Sequence, residues 1–193
     1  MIEIRWHGRG GQGAKTAALL FAEAVLATGK YVQGFPEYGP ERMGAPVQSF
    51  NRIDDKPITL HCGVTAPNVV VVLDPTLLDS HDLTQGLTRD GAIIINTNAD
   101  PSAMRSKMGL GFGRVYTVDA TTISRESIGL EKPNTPMMGA LVKVIDTLGL
   151  TLDINDVVAD TEEKLKKKFA HKPGVIEGNL NCLRRAYAET RGE

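Results

Sequence analysis

Gly8, Gly10 and Gly13 stand at the spacing of a G-x-G-x-x-G turn, with Arg9, Gly11 and Gln12 between them. Glycines placed this way let the chain turn sharply and bring backbone N–H groups close to a ligand or to a neighbouring backbone. A helix opening just beyond such a turn points its positive end at it, so the chemistry on offer is the holding of an anion. A second dense stretch is Pro36-Glu37-Tyr38-Gly39-Pro40-Glu41-Arg42-Met43-Gly44-Ala45-Pro46. Its three prolines and two glycines exclude a regular element and leave an ordered loop with little backbone freedom. Glu37, Tyr38, Glu41 and Arg42 are the groups there that hydrogen-bond a ligand or a neighbouring protein; the bland reading is a stiff surface loop with solvated charges.

The elements that position these stretches follow from periodicity. Ile2 to Trp6 reads as a strand, and Ala14 to Thr28 as a helix closed by Gly29. Strand, glycine loop and helix together open an α/β sheet. A self-sufficient dinucleotide site also needs an acid at the end of the second strand. That strand, Lys30 to Phe35, ends in glycine, phenylalanine and proline, and Glu37 falls beyond Pro36. A structural tight turn therefore competes with the nucleotide reading and is the better of the two. The helix carries one apolar stripe at Leu20, Phe21, Ala24 and Val25 and a second at Leu19, Ala22 and Leu26, a first hint of an interface.

Further along, Val47 to Ile53 reads as a strand, with a turn at Asp54-Asp55-Lys56-Pro57 leading to another short one at Ile58 to His61. Asn68 to Leu73, with four consecutive valines, is the clearest central parallel strand. Asp74 then lies at a strand C-terminus, where open sheets bind ligands, or simply caps the short helix that Pro75 begins. Gly91 to Thr97 and Arg114 to Val118 are further strands, with Asp119 opening the helix after the latter, and Gly109 to Gly113 reads as a flexible turn. Asn134 is expected to cap a long helix carrying Met138, Leu141, Val142, Ile145 and Leu148. Met137 and Met138 fill a core or offer a soft contact surface. Two amphipathic helices finish the chain, one with Ile154, Val157, Val158, Leu165 and Phe169, the other with Ile176, Leu180, Leu183 and Tyr187. The expected architecture is α/β: a single Rossmann-like domain over 1–193, with an open, mostly parallel sheet flanked by helices and C-terminal helices.

Composition narrows the function. The 193 residues are 41% hydrophobic and 23% charged, an ordinary globular balance. A net charge of −1 provides no field for nucleic acid or an anionic membrane. No apolar run is long enough to span a bilayer, and no signal peptide is visible, so a cytoplasmic protein is expected. Cys62 and Cys182 are expected to be reduced, buried thiols. Two thiols cannot ligate a four-cysteine iron–sulfur cluster. His61 beside Cys62 has no second pair to complete a metal site, and His7, His81 and His171 are scattered.

Three motifs in order carry a resemblance: Gly8-Arg9-Gly10-Gly11-Gln12-Gly13, the run from Pro36 to Val47, and Asn134-Thr135-Pro136-Met137-Met138-Gly139. Together they resemble the gamma subunits of the 2-oxoacid:ferredoxin oxidoreductase family, of pyruvate type, over nearly the whole chain. Met43 stands where the usual loop has arginine. The Gly44-Ala45-Pro46-Val47 ending leans toward the pyruvate and branched-chain members.

The resemblance implies oxidative decarboxylation of a 2-oxoacid with coenzyme A, acetyl-CoA and CO2 from pyruvate, and electrons passed to ferredoxin. It places thiamine diphosphate, Mg2+ and 4Fe–4S clusters on other subunits; no Gly-Asp-Gly of a thiamine site occurs here. This chain then holds no cofactor and no catalytic residue, and docks with alpha, beta and delta subunits. Gly8 to Gly13 would contact coenzyme A or another anion. Glu37, Tyr38, Gly39, Pro40, Glu41, Arg42 and Asn134 would form an interface or active-site loop. Pure docking, and a free-standing nucleotide-binding protein, are the alternatives.

Overall fold

The computed structural model describes residues 1–37 and 43–193. Among them, seven strands form one sheet: β1 (Ile2–Arg9), β2 (Tyr31–Pro36), β3 (Pro46–Asp54), β4 (Val69–Val72), β5 (Ala92–Asn96), β6 (Arg114–Val118) and β7 (Arg191–Gly192). Six α-helices accompany them: α1 (Ala14–Leu26), α2 (Pro101–Met108), α3 (Ala120–Ile128), α4 (Asn134–Asp146), α5 (Ile154–Lys168) and α6 (Pro173–Glu189). The strand order is β2-β3-β1-β4-β5-β6-β7. β1, β4, β5 and β6 run parallel, while β3 is antiparallel to both β1 and β2, and β7 is antiparallel to β6. The sheet is thus mostly parallel and open, as expected, with an antiparallel strand inserted beside β1.

The centre of the sheet is buried on both faces, which is why β4 and β5 are continuous apolar runs: every residue of Val69–Val72 and Ala92–Asn96 is buried. The larger core lies against α1, α3, α4, α5 and α6. The smaller one, on the opposite face, gathers Leu77, Leu83, Leu87, Met104 and Leu110. β1 alternates between the two sides. Ile4 and Trp6 enter the larger core, where Trp6 meets Phe21 edge-on at 6.3 Å and donates its Nε1–H to Asn51 Oδ1 at 2.7 Å. Asn51 in turn donates to the carbonyl of Ala18, so this buried polar group is satisfied and ties β3 to α1.

Several expectations need correction. Ile58 to His61 forms no strand: its Ile58 carbonyl accepts from the Gln33 side chain, and the nearby Gly63 carbonyl accepts from Arg52, so side chains replace a ladder. Asn134 is not a cap; α4 already includes it, Pro133 precedes it, and Met137 N–H bonds the Pro133 carbonyl. Cys62 is exposed rather than buried, whereas Cys182 is buried. The second stripe of α1 is split: Ala22 is buried beside Gly34 of β2, where a Cβ would come within 2.8 Å, while Leu19 and Leu26 stay exposed. Helix α2 and strand β7 were not foreseen.

Candidate functional site

The C-terminal edge of the sheet is where the motifs meet. The antiparallel pairing of β3 with β1 brings Pro46 opposite Arg9, so the end of the proline-rich loop lies on the glycine loop. Gly10 N–H donates to the Ala45 carbonyl at 2.9 Å, and Gly44 N–H to the Gly10 carbonyl at 3.2 Å. From the other side, Lys132 Nζ donates to the Gly11 carbonyl at 2.7 Å. Gly13, with φ of 86°, opens α1, and a Cβ there would press to 3.0 Å on the Asn134 side chain. Glycine is required twice over, by the left-handed backbone and by the contact.

Asp74 fastens this corner. Its Oδ2 accepts from Gln12 Nε2 at 2.7 Å and from Arg9 Nε at 3.2 Å. Its Oδ1 accepts from Thr76 N–H at 3.0 Å and Thr76 Oγ1–H at 2.6 Å, capping the short 3-10 helix Pro75–Asp79. Asp74 is the cap that one sequence reading expects, and its other oxygen ties down the glycine loop. Partial burial favours its protonated form, but the bonds from Thr76 and Gln12 and the charge of Arg9 outweigh burial and hold its pKa below the ordinary carboxylate value. Arg9 is occupied as well: beyond Asp74 it donates to the Gly44 carbonyl and to Thr76 Oγ1. Its guanidinium works as a clasp joining β1, the proline-rich loop and the turn after β4.

The opposite face of β1 holds a buried polar pair. Arg5 Nε donates to His7 Nε2 at 2.9 Å, and its Nη2 donates to the carbonyls of Leu83 and Gln85. Burial first, then the charges of Arg5 and His81, push the His7 pKa down to about 3. His7 is therefore neutral, with its proton on Nδ1. The unfolded chain takes up a proton near pH 6.5 and the folded chain does not, so stability falls as pH drops below that value. By pH 5 the loss is about 2 kcal/mol, set almost wholly by the unfolded-state pKa. Urea denaturation at pH 7 and pH 5 checks this; the His7→Gln variant is expected to lack that part of the acid loss, and identical pH dependence in both proteins would refute it.

Of the residues singled out from sequence, Gly8, Arg9, Gly10, Gly11, Gln12, Gly13, Glu37 and Asn134 are all described, and all but Glu37 belong to the glycine loop or touch it or its neighbours. Tyr38, Gly39, Pro40, Glu41 and Arg42 lie outside the described residues. A cleft of about 480 Å³ opens between Arg9, the start of α1, Pro36, Glu37 and β3. Sequence reasoning missed Ser49 on its wall and Lys132 on the loop. Neither belongs to a motif, and only the fold brings them here. Among the described residues, no group of three or more His, Cys, Asp or Glu is placed to hold a metal, and no helix is long and apolar enough to cross a membrane.

Comparison with known proteins extends this geometry. The family model for pyruvate ferredoxin/flavodoxin oxidoreductase matches residues 3–189. Pyruvate synthase subunit PorC of Thermotoga maritima is 47% identical over 192 residues, covering 98% of this chain and 95% of that protein. The pyruvate/ketoisovalerate oxidoreductases common subunit gamma of Pyrococcus furiosus is 45% identical, covering 98% and 97%. The crystal structure of the Thermotoga maritima pyruvate oxidoreductase subunit superposes with a TM-score of 0.84 over 100% of this chain and 98% of that one, at 44% identity. A 2-oxoglutarate:ferredoxin oxidoreductase from Magnetococcus marinus shares the fold alone, with a TM-score of 0.70 at 16% identity over 97% of this chain and 30% of that much longer one.

Proposed function

This chain belongs to the pyruvate ferredoxin/flavodoxin oxidoreductase family, and we propose that it serves as the gamma subunit of a pyruvate:ferredoxin oxidoreductase. The complex would convert pyruvate and coenzyme A to acetyl-CoA and CO2 while reducing ferredoxin. What carries the reading is 47% identity to a pyruvate synthase subunit over nearly the full length of both proteins. A specific observation supports a second substrate, 2-ketoisovalerate: a 45% identical relative is named as a gamma subunit common to both oxidoreductases.

The chain's own residues do not fit the cofactors of that chemistry. Two cysteines cannot supply the four thiolates of a cluster, and no Gly-Asp-Gly is present for thiamine diphosphate. Those groups, with Mg2+, belong to the alpha, beta and delta subunits in this reading. The gamma chain contributes a preassembled corner, Gly8 to Gly13 with the flanking loop and Asn134, that meets coenzyme A and the neighbouring subunits. An antiparallel β3 between β1 and β2 argues against an independent dinucleotide site. It moves the β2 end one strand away from the glycine loop, and Ala45 takes the Gly10 N–H that a pyrophosphate would use.

Affinity capture of this chain from its host, followed by ferredoxin-reduction assays with pyruvate or 2-ketoisovalerate and coenzyme A, tests the proposal. Co-purification of thiamine- and cluster-bearing subunits with pyruvate-driven reduction is the expected result. Reduction by 2-ketoisovalerate alone would correct only the substrate. A chain recovered alone that binds a nucleotide would overturn the subunit role.

A further inference from the structure

We propose that the outer edge of β2 docks a second copy of this chain, the two β2 strands pairing antiparallel about a two-fold axis at Gln33. This contact is independent of the subunit role above and goes beyond it.

β2 is the outermost strand on its side of the sheet, and no strand covers its outer edge among the described residues. Glu37 N–H donates to the Gln48 carbonyl, which makes Glu37 and Gln48 a bonded pair of the β2–β3 ladder. By alternation Phe35, Gln33 and Tyr31 also bond inward, so Lys30, Val32, Gly34 and Pro36 turn their backbone groups outward. Such an edge recruits another strand unless charge, proline or a bulge blunts it. Tyr31–Pro36 carries no charge, and its proline is the last residue. With Gln33 facing its own copy, Val32 meets Gly34, and each of these pairs exchanges both bonds. Lys30 N–H meets the Pro36 carbonyl, so the residue without a donor falls at the end of the ladder, where it only accepts. An axis at Gly34 instead sets Pro36 against Val32 inside the ladder and forfeits bonds there.

Side chains on both faces fit the same axis. On the α1 face, Gly34 lies so close to Ala22 that a Cβ would come within 2.8 Å. Leu19 and Leu26 stand three residues before Ala22 and four after it, on the flank of α1 nearest the edge, and are 37% and 59% exposed. Glu23, on the other flank, pairs with Lys164 of α5. Two antiparallel copies of α1 about an axis beside Ala22 bring Leu19 of one toward Leu26 of the other, which covers the split stripe. On the opposite face Tyr31 is 48% exposed. The register sets it across from Phe35 of the second copy, as an aromatic cross-strand pair. Beside Phe35 a cleft of about 550 Å³ opens along Phe50, Leu60 and His61. Knob and cleft lie on one strand, so a single chain leaves both unfilled and two chains fill them reciprocally. A stable dimer buries about 800 Å² on each partner, more than a six-residue ladder offers alone, and these flanks extend it on both faces.

Sedimentation of the full chain tests the dimer, and cross-linking tests its register. Wild type is expected at twice its 20.8 kDa when present at about 10 μM. Tyr31→Glu puts a carboxylate into the aromatic cleft. Leu26→Lys puts a cation at the C-terminal end of α1, which the helix itself favours. Each is expected to weaken the dimer about a hundredfold with the far-UV circular dichroism unchanged, since both positions are exposed in the single chain. In a Cys62→Ser background, Gln33→Cys is expected to form an interchain disulfide on mild oxidation, because facing residues of a non-bonded pair lie about 4.5 Å apart at Cα. Tyr31→Cys faces position 35 rather than its own copy and is expected to stay unlinked.

A wild-type chain that is monomeric at about 100 μM overturns the proposal. A dimer that survives both substitutions and leaves Gln33→Cys unlinked overturns it too. The Gln33→Cys link is also expected in the assembled complex; a link present in the isolated chain and absent there gives the β2 edge to another subunit and refutes the second copy as its occupant. None of these results alters the assignment of the complex, which the ferredoxin-reduction assay decides.

Discussion

Replacing Gly139 by alanine is expected to cost the fold about 3 kcal/mol or more and to lower the melting temperature by about 10 °C. Gly139 lies in α4 where that helix crosses α6, and an ideal Cβ would stand 2.2 Å from the Leu183 carbonyl oxygen and 3.0 Å from its carbon. These are backbone atoms, so no rotamer change relieves the clash and the helices must separate. Separation opens the densest part of the larger core, where Met138, Leu141, Val142 and Leu183 are fully buried. The effect runs against ordinary helix propensity, by which glycine to alanine gains up to about 1 kcal/mol. Gly174→Ala supplies the control: it sits in the first turn of α6 with nothing within 4 Å of a Cβ, and its melt is expected to match or exceed wild type. A Gly139→Ala protein melting with the control would show that α4 and α6 tolerate the separation.

That crossing marks a limit of sequence reading. Gly139 is visible in a motif with Asn134 and the methionines, but its need to be glycine comes from Leu183, distant in the chain. The central strands were legible because burial on both faces leaves continuous apolar runs, and Val69–Val72 and Ala92–Asn96 became the middle of the sheet. The position of β3 was not, since alternation marks a strand and says nothing about its neighbours. Helix α2 had a signal that went unused: Asp100 accepts from Ser102 N–H ahead of Pro101, the capping pattern of a helix start. Strand β7 is two residues long and has no pattern to find. At the candidate site the three motifs were legible one by one, but the packing of Asn134 against Gly13, which brings the third to the first, was not. The clasp made by Arg9 was hidden because its partner Asp74 is 65 residues away. His7 looked scattered for the same reason; its character comes from the buried guanidinium of Arg5.

Asp74→Asn is expected to lower stability by about 2 to 3 kcal/mol and to raise the KM of the assembled complex for coenzyme A about tenfold. Asp74 receives donors on both oxygens, from Gln12 and Arg9 on one side and from Thr76 on the other. An amide cannot copy this. Whichever way it turns, its NH2 meets donors, on the loop side or at the cap, and the positive charge of Arg9 loses its counter-ion. Steric volume is nearly unchanged, so the loss reports on hydrogen bonding and charge rather than on a cavity. Released from Asp74, Arg9 also loses the anchor that aims it at Gly44, and the backbone bonds of Gly10 to Ala45 and Gly44 are left to hold the two loops together without it. Denaturation of the isolated chain measures the first effect, and steady-state kinetics with analytical ultracentrifugation of the complex measure the second. A destabilised chain that still assembles, with an unaltered KM, would make the corner a structural knot with no part in coenzyme A binding. Lost assembly with an unaltered KM in the remaining complex would assign it to subunit docking. A raised KM with assembly intact places the loop against the substrate, because only a contact formed at the moment of binding distinguishes a correctly clasped loop from a loosened one.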